Sequence, residues 1–352
     1  MKKKIIKFNE VINKTLHQEM RRNPKTVYFG LGADDSDRIF NTTNKLVEKF
    51  GKKRVFDTPV SENAMTGVAV GMSLNGFAPI VSHQRMDFFL LAMDQLVNNA
   101  SKWNIMFGGK NRVPITIRLI IGRGWGQGPT HSQNLQSWFA HVPGLKVVAP
   151  SFPSTMKNLL IDSILDPDPV IIIEHRWIHN IEEKLNISSH KKQLGKVNLL
   201  NKGKDITLIS SSYSTIEILK IYETLKKNNV SFDHIDLLSI KPLDMMAIYR
   251  SVKKTGKLLV LDNSSHSFCS VSSEIVSQLT IINPKVFKKK PLILNLPEIA
   301  SPSSFYLTKK FYKSEEDLLK SIEKILNKKL KRYLKKNLLP HDVPDQNFTG
   351  PF

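Results

Sequence analysis

The sequence predicts an α/β protein of two domains, each built on a parallel-sheet core. Three observations carry that expectation. The chain has 352 residues, more than one domain of about 150 residues holds. From Val27 onward, short β-branched runs alternate with longer segments of 3.6-residue period, the pattern of a sheet covered by helices. The alternation stops once, in a polar stretch rich in Lys and Asn, and then resumes.

In chain order, the first domain (1–180) holds expected strands at 27–31, 54–57, 78–82, 115–120, 146–149 and 170–174. Helices start near Arg38, Ser61, Phe88, Leu135 and Ser154 between them. Residues 181–204 have no clean period and read as a linker. The second domain (205–335) repeats the pattern, with strands at 206–210, 232–238, 258–262 and 292–296. Its helices are expected at 214–227, 243–253, 271–279 and from about Ser314. A tail of Pro, Asn and Gly character, 336–352, has no regular signal, although Phe348 and Phe352 could dock on another subunit.

Composition narrows the function classes. Lys+Arg 52 against Asp+Glu 31 gives a net charge of +21, and a surface this basic attracts polyanions. The excess is spread along the chain, carried mainly by Lys, and coincides with no nucleic-acid module. The densest stretch, 324–336, carries Ile325, Leu326, Leu330 and Leu334 at helical spacing, as a solvated helix face would. No nucleic-acid partner is expected, and a noncatalytic basic binding protein is kept as the rival class. One cysteine, Cys269, offers neither an internal disulfide nor a cysteine metal cage, so the expected compartment is the cytoplasm. Lys7, Asn9, Glu10 and Asn13 interrupt any secretion signal. The apolar runs have strand length, so no membrane association is expected.

Ligands of open α/β sheets sit beyond the carboxyl ends of strands, and three such places stand out. After the first strand, Gly30-Leu31-Gly32-Ala33-Asp34-Asp35 superficially matches a dinucleotide fingerprint, with Asp57 closing the next strand. Asp35 stands where the third glycine should be, and its charge opposes a pyrophosphate. The second place is Asp57-Thr58-Pro59-Val60-Ser61-Glu62. There Glu62 either complements the dipole of a helix capped by Ser61 or shares a proton with a ligand nitrogen. The third is the loop Gly122-Arg123-Gly124-Trp125-Gly126-Gln127-Gly128-Pro129-Thr130-His131-Ser132-Gln133. Its glycines permit close approach to a bound group and His131 offers a titratable nitrogen; the alternative is a flexible surface turn.

Asp57-Thr58-Pro59-Val60-Ser61-Glu62 and Thr130-His131-Ser132-Gln133, together with Ala92-Met93-Asp94-Gln95-Leu96-Val97-Asn98-Asn99-Ala100-Ser101-Lys102 and His141-Val142-Pro143-Gly144-Leu145-Lys146-Val147-Val148-Ala149-Pro150, resemble a known family, while Gly32-Ala33-Asp34-Asp35 departs from it. It is the beta subunit of the thiamine-diphosphate-dependent decarboxylating component of the pyruvate and branched-chain 2-oxoacid dehydrogenases, a member of the transketolase-like superfamily. The resemblance runs from about Lys7 to Leu326, and Asp166-Pro167-Asp168-Pro169-Val170 and Ile240-Lys241-Pro242-Leu243-Asp244 add to it. It implies an aminopyrimidine-binding domain followed by a transketolase C-terminal-like domain. It further implies an alpha subunit that grips diphosphate and magnesium, two alpha and two beta chains in a heterotetramer, and a lipoyl-bearing acyltransferase as a further partner. The implied catalytic residues are Glu62 and His131, with Glu62 and Phe88 holding the aminopyrimidine. A structural potassium ion is implied at Ile115, Ser163, Ile164, Asp166 and Asp168. The implied reaction is oxidative decarboxylation of a 2-oxoacid with acyl transfer to lipoamide, and the alternative is a split transketolase-like or acyloin-forming enzyme. The sequence departs from the family at Ser82-His83-Gln84-Arg85-Met86-Asp87-Phe88, where His83 and Arg85 are expected to bring charge to an apolar position.

Overall fold

The computed structural model describes residues 3–34, 38–334 and 339–346; Asp35, Phe348 and Phe352 lie outside them. Fourteen strands are assigned among these residues. They are β1 (Lys4–Lys7), β2 (Thr26–Gly30), β3 (Val55–Phe56), β4 (Ala78–His83), β5 (Thr116–Ile121), β6 (Lys146–Val148) and β7 (Val170–His175). There follow β8 (Glu182–Leu185), β9 (Val197–Asn201), β10 (Ile206–Ser210), β11 (Phe232–Leu237), β12 (Ser239–Lys241), β13 (Leu258–His266) and β14 (Leu292–Leu296).

The first sheet runs β12-β6-β7-β5-β4-β2-β3 and the second β14-β13-β10-β11-β9. Both are parallel except at one edge, where β12 pairs antiparallel with β6 and β9 antiparallel with β11. Central strands such as β5 and β7 are buried along their whole length, as parallel strands covered on both faces must be. This is the expected two-domain α/β architecture, with mixed sheets in place of purely parallel ones.

The two domains are not independent in their packing. β12 comes from the second half of the chain yet completes the edge of the first sheet. One apolar cluster continues from Phe29, Ile117 and Ile171 in the first sheet to Ile209, Ile235 and Val260 in the second. The stretch 181–204 carries two strands: β8 pairs with β1 at the amino end of the chain, and β9 edges the second sheet. Its polar composition hid them because most residues of both strands are only half-buried or exposed. The helix read at 324–336 stops earlier. Glu315–Leu326 is helical, Asn327 turns left-handed at φ +53°, and Arg332 folds back onto Glu316 and Glu323 at 2.8 and 2.7 Å. The basic stretch is thereby partly neutralised by the chain's own carboxylates.

Candidate active site

The carboxyl ends of β2, β3, β4, β5 and β7 converge on one edge of the first sheet. Gly30 ends β2 with φ +154°, and a Cβ there would lie 2.3 Å from the Ser82 carbonyl of β4. The glycine therefore serves close strand packing rather than a pyrophosphate. Asp57 accepts hydrogen bonds from the amides of Gly32 and Thr58 at 2.7 and 2.8 Å, so it ties the loop after β2 to the end of β3.

Glu62 opens the helix Glu62–Leu74 and is 6% exposed. Among the described residues its carboxyl group has no hydrogen-bond or ion-pair partner. Ser61 occupies the N-cap position but makes no capping bond; its hydroxyl donates to the Pro59 carbonyl at 3.3 Å. The helix dipole favours a negative charge in this first turn, yet no described side chain partners it.

After β4 the chain enters the short helix Met86–Phe89. Phe88 is 42% exposed, and its ring stands edge-on to His131 with centroids 5.3 Å apart. His131 Nδ1 lies 3.0 Å from Thr130 Oγ1. The structure thus joins Phe88 to His131, while no hydrogen bond among the described residues links either to Glu62, which follows β3, two strands from β4 and three from β5. Asp87 accepts from the Gln133 amide and side chain at 3.3 and 2.8 Å, holding the glycine loop to the helix. Gln84 donates to the Leu31 carbonyl at 3.1 Å and links the β4 loop to the β2 loop.

His83 corrects an expectation. It is buried against Phe89, with ring centroids 4.7 Å apart. Burial pushes its pKa down to about 3, so the imidazole is neutral and brings no charge. Arg85 is also buried; that burial lowers its pKa, Asp87 opposes the shift, and Nη1 donates to the Gln84 carbonyl at 2.9 Å.

Two arginines that the sequence did not single out anchor the glycine loop. Arg123 donates to Glu217 at 2.7 Å and to the Asn263 carbonyl at 3.1 Å, both in the second domain. Its guanidinium also lies 4.8, 5.6 and 4.1 Å from the ring centroids of Trp177, Tyr213 and Tyr312. Arg176, just after β7, donates to the Arg123 carbonyl at 3.1 Å and to Gln127 Oε1. Burial, with Arg85 nearby, pushes Arg176 down to about 9. Gln133 and Asp87 could have been found, because both lie inside motifs quoted above. Arg176 gave no signal, since it follows the strand where the pattern turns polar.

The residues considered for a cation sit elsewhere, near the amino ends of β5, β6 and β7. Lys146 Nζ contacts Asp166 at 2.6 Å and Asp168 at 3.2 Å, and Arg112 contacts Asp168 at 2.7 Å. The Ile115 carbonyl accepts from the Val170 amide at 2.9 Å, and the Ser163 carbonyl from the Asp166 amide at 3.3 Å.

This is the class of two-domain chain in which a first α/β domain presents a buried carboxylate, an exposed ring and a histidine at one sheet edge, with a second α/β domain packed behind. Residues 4–179 match the family described as transketolase, pyrimidine binding domain, and residues 195–311 the transketolase, C-terminal domain. The chain is 36% identical to the acetoin:2,6-dichlorophenolindophenol oxidoreductase subunit beta of Cupriavidus necator, over 76% of this chain and 82% of that one. It is 30% identical to the pyruvate dehydrogenase E1 component subunit beta of Mesostigma viride, over 91% of this chain and 98% of the relative. Among solved structures, a split-gene transketolase described as an inactive beta4 tetramer superposes with a TM-score of 0.75 at 19% identity, covering 92% of this chain and 99% of that one; at that identity it speaks to the fold alone. The chain belongs to the E1 beta-subunit family, in which the transketolase pyrimidine-binding and C-terminal domains occur together.

Proposed function

We propose that this chain is the beta subunit of a thiamine-diphosphate-dependent 2-oxoacid dehydrogenase of the pyruvate dehydrogenase type, active only with an alpha subunit in a heterotetramer of two alpha and two beta chains. The observation that carries this is Glu62, 6% exposed and without a hydrogen-bond partner among the described residues. Such a carboxyl group, with no donor of its own among the described residues, needs one from outside the chain to be hydrogen-bonded. A heterocyclic nitrogen of a ligand answers that need.

Glu62 and Phe88 would hold the aminopyrimidine ring of the cofactor. When bound, thiamine diphosphate would supply a carbon nucleophile that bonds to the keto carbon and a cationic ring that accepts the electron pair left when carbon dioxide departs. Glu62 holds a proton at its carboxyl oxygen for the ring nitrogen. Phe88 offers its exposed face as an orienting surface. His131, with Nδ1 engaged by Thr130 at 3.0 Å, keeps Nε2 to hold or release a proton on the substrate side. Diphosphate and magnesium are proposed to fall to the alpha subunit, as the resemblance implies. For potassium, the Asp166 and Asp168 carboxylates already meet Lys146 and Arg112. The ion would then rest on the main-chain carbonyls of Ile115, Ser163, Ile164, Asp166 and Asp168, hard oxygen donors with a lone pair to spare. No helix among the described residues is long and apolar enough to cross a membrane. The proposed setting is the cytoplasm, where the exposed Cys269 stays reduced.

The acetoin-type relative favours a second reading, in which the same decarboxylation serves acyloin chemistry instead of lipoamide. The deciding experiment combines the chain with its alpha partner, thiamine diphosphate, magnesium and a panel of 2-oxoacids. Carbon dioxide release is measured with and without lipoamide and the products are identified. Acyl-lipoamide supports the first reading and acyloin the second. Carbon dioxide release unchanged by Glu62→Gln would overturn both.

A further inference from the structure

Beyond the helix Glu315–Leu326 the chain returns to the first domain. Asp342 Oδ2 accepts a hydrogen bond from the Trp125 amide at 3.3 Å, across 217 positions of sequence. The contact is close enough to fix a residue type. Gly124 has φ +103°, and a Cβ there would lie 2.3 Å from the Asp342 carbonyl and 2.9 Å from the Trp177 ring. Only glycine has both this backbone conformation and room for the returning chain. One residue earlier, His341 Nε2 and Thr308 Oγ1 are hydrogen-bonded at 2.9 Å, and the His341 ring lies 4.4 Å from that of Phe305. Thr308 and Phe305 belong to the helix Phe305–Phe311 of the second domain. The same domain touches the loop again through Ser303, whose Oγ would lie 2.2 Å from a Cβ on Gly128.

The loop after β5 is therefore held at three levels. Its base is fixed by Arg123 and Arg176. Its middle is pressed between Ser303 and residues 341–342. Its far end carries Thr130 and His131, where Gln133 reaches Asp87. Without the middle contact, three glycines between Arg123 and Pro129 would give that span wide conformational freedom.

We propose that the segment around His341 and Asp342 is a strap across the two domains, and that both are positioning residues which set the glycine loop and, through it, His131 against Phe88. His341 docks the strap on the helix Phe305–Phe311, and Asp342 transmits the hold to the loop through the Trp125 amide. Neither residue touches the reacting groups. The consequence for turnover rests on the proposed function, whereas the consequence for the loop does not.

The test compares the full chain with H341A/D342A and with D342N, by amide hydrogen exchange of residues 122–131. Loss of the strap is expected to speed exchange at Trp125 and its neighbours at least about tenfold, while D342N, which keeps an acceptor oxygen, restores most of the protection. Gly124→Ala approaches from the other side and is expected to speed exchange of residues 339–346 as well. In the reconstituted complex, H341A/D342A should lower kcat by on the order of tenfold to a hundredfold with little change in KM, as misplacement of a catalytic group does. Unchanged loop exchange in both H341A/D342A and Gly124→Ala would overturn the strap. An inactive wild-type complex with faster loop exchange in the variants would refute the proposed function and leave the strap standing.

Discussion

Glu174 and Glu62 are both buried carboxylates of the first domain, and their surroundings are opposite. Glu174 lies inside the sheet on β7 and meets the Arg118 guanidinium through two bonds, 2.6 and 2.9 Å, with both side chains fully buried. Arg118 spends a further donor on Tyr28 at 2.9 Å and on Thr42 at 3.3 Å. Burial alone would raise the pKa of Glu174; Arg118 and, more weakly, His179 hold it down to about 2. Glu62 has the same chemistry at the sheet edge, the start of a helix behind it and no partner of its own. One carboxylate is paired within the fold; the other has no partner among the described residues, which the proposed function reads as the place of a ligand nitrogen. A buried charge that is fully paired is evidence about architecture, and one that is unpaired is evidence about a ligand.

That contrast predicts two variants with opposite profiles. Glu62→Gln should lower turnover of the reconstituted complex by about a hundredfold to ten-thousandfold, the contribution of a positioned proton carrier. Its unfolding midpoint in urea should stay at or above that of the wild type, because no partner is lost. Glu174→Gln leaves the Arg118 charge buried and uncompensated, which should cost about 3–5 kcal/mol of stability. Activity per folded molecule should be retained. A stability loss in Glu62→Gln as large as that in Glu174→Gln would mean that Glu62 is structural after all, and the contrast would collapse.

Much of this was legible in the sequence, because the informative residues repeat at short range. The β-branched runs of β5 and β7 and the motifs around Glu62, Phe88 and His131 are local patterns. The helix Phe8–Arg22 was equally local and still went unread. Its buried residues Phe8, Val11, Ile12, Thr15, Leu16, Glu19 and Met20 follow helical spacing, but the Lys and Asn between them masked the stripe. What no local pattern could show is pairing over distance. β12 joins the first sheet from the second half of the chain, Arg123 finds its partners 94 and 140 positions away, and Asp342 meets Trp125 across 217. Such contacts are set by tertiary packing, which leaves no period in the residues that make them. His83 shows the converse limit: its identity suggested a charge, and only its burial removes it.

A third carboxylate, Asp236 on β11, tests the contrast at its midpoint. It is fully buried and accepts from Ser151 Oγ at 2.6 Å and Thr215 Oγ1 at 2.8 Å, both on Oδ1. Oδ2 has no partner among the described residues. With hydroxyls but no cation, burial dominates and pushes its pKa up to about 7, the two hydroxyl bonds opposing. The unfolded value is about 3.9, so between roughly pH 4 and pH 7 the folded chain binds a proton that the unfolded chain does not. The folded state gains from that proton at low pH and loses the gain as pH rises through the window. Asp236→Asn cannot titrate, so its stability relative to the wild type should climb from pH 5 to pH 8, by up to about 2.6 kcal/mol and less if the site relaxes. Asparagine also places an amide where Oδ2 stood, which adds a constant offset and leaves the slope as the quantity to read. Urea midpoints of the two proteins across that range give it directly. Parallel curves would mean that two hydroxyls are enough to keep a buried carboxylate charged, and the partnerless Glu62 would then say less about what it awaits.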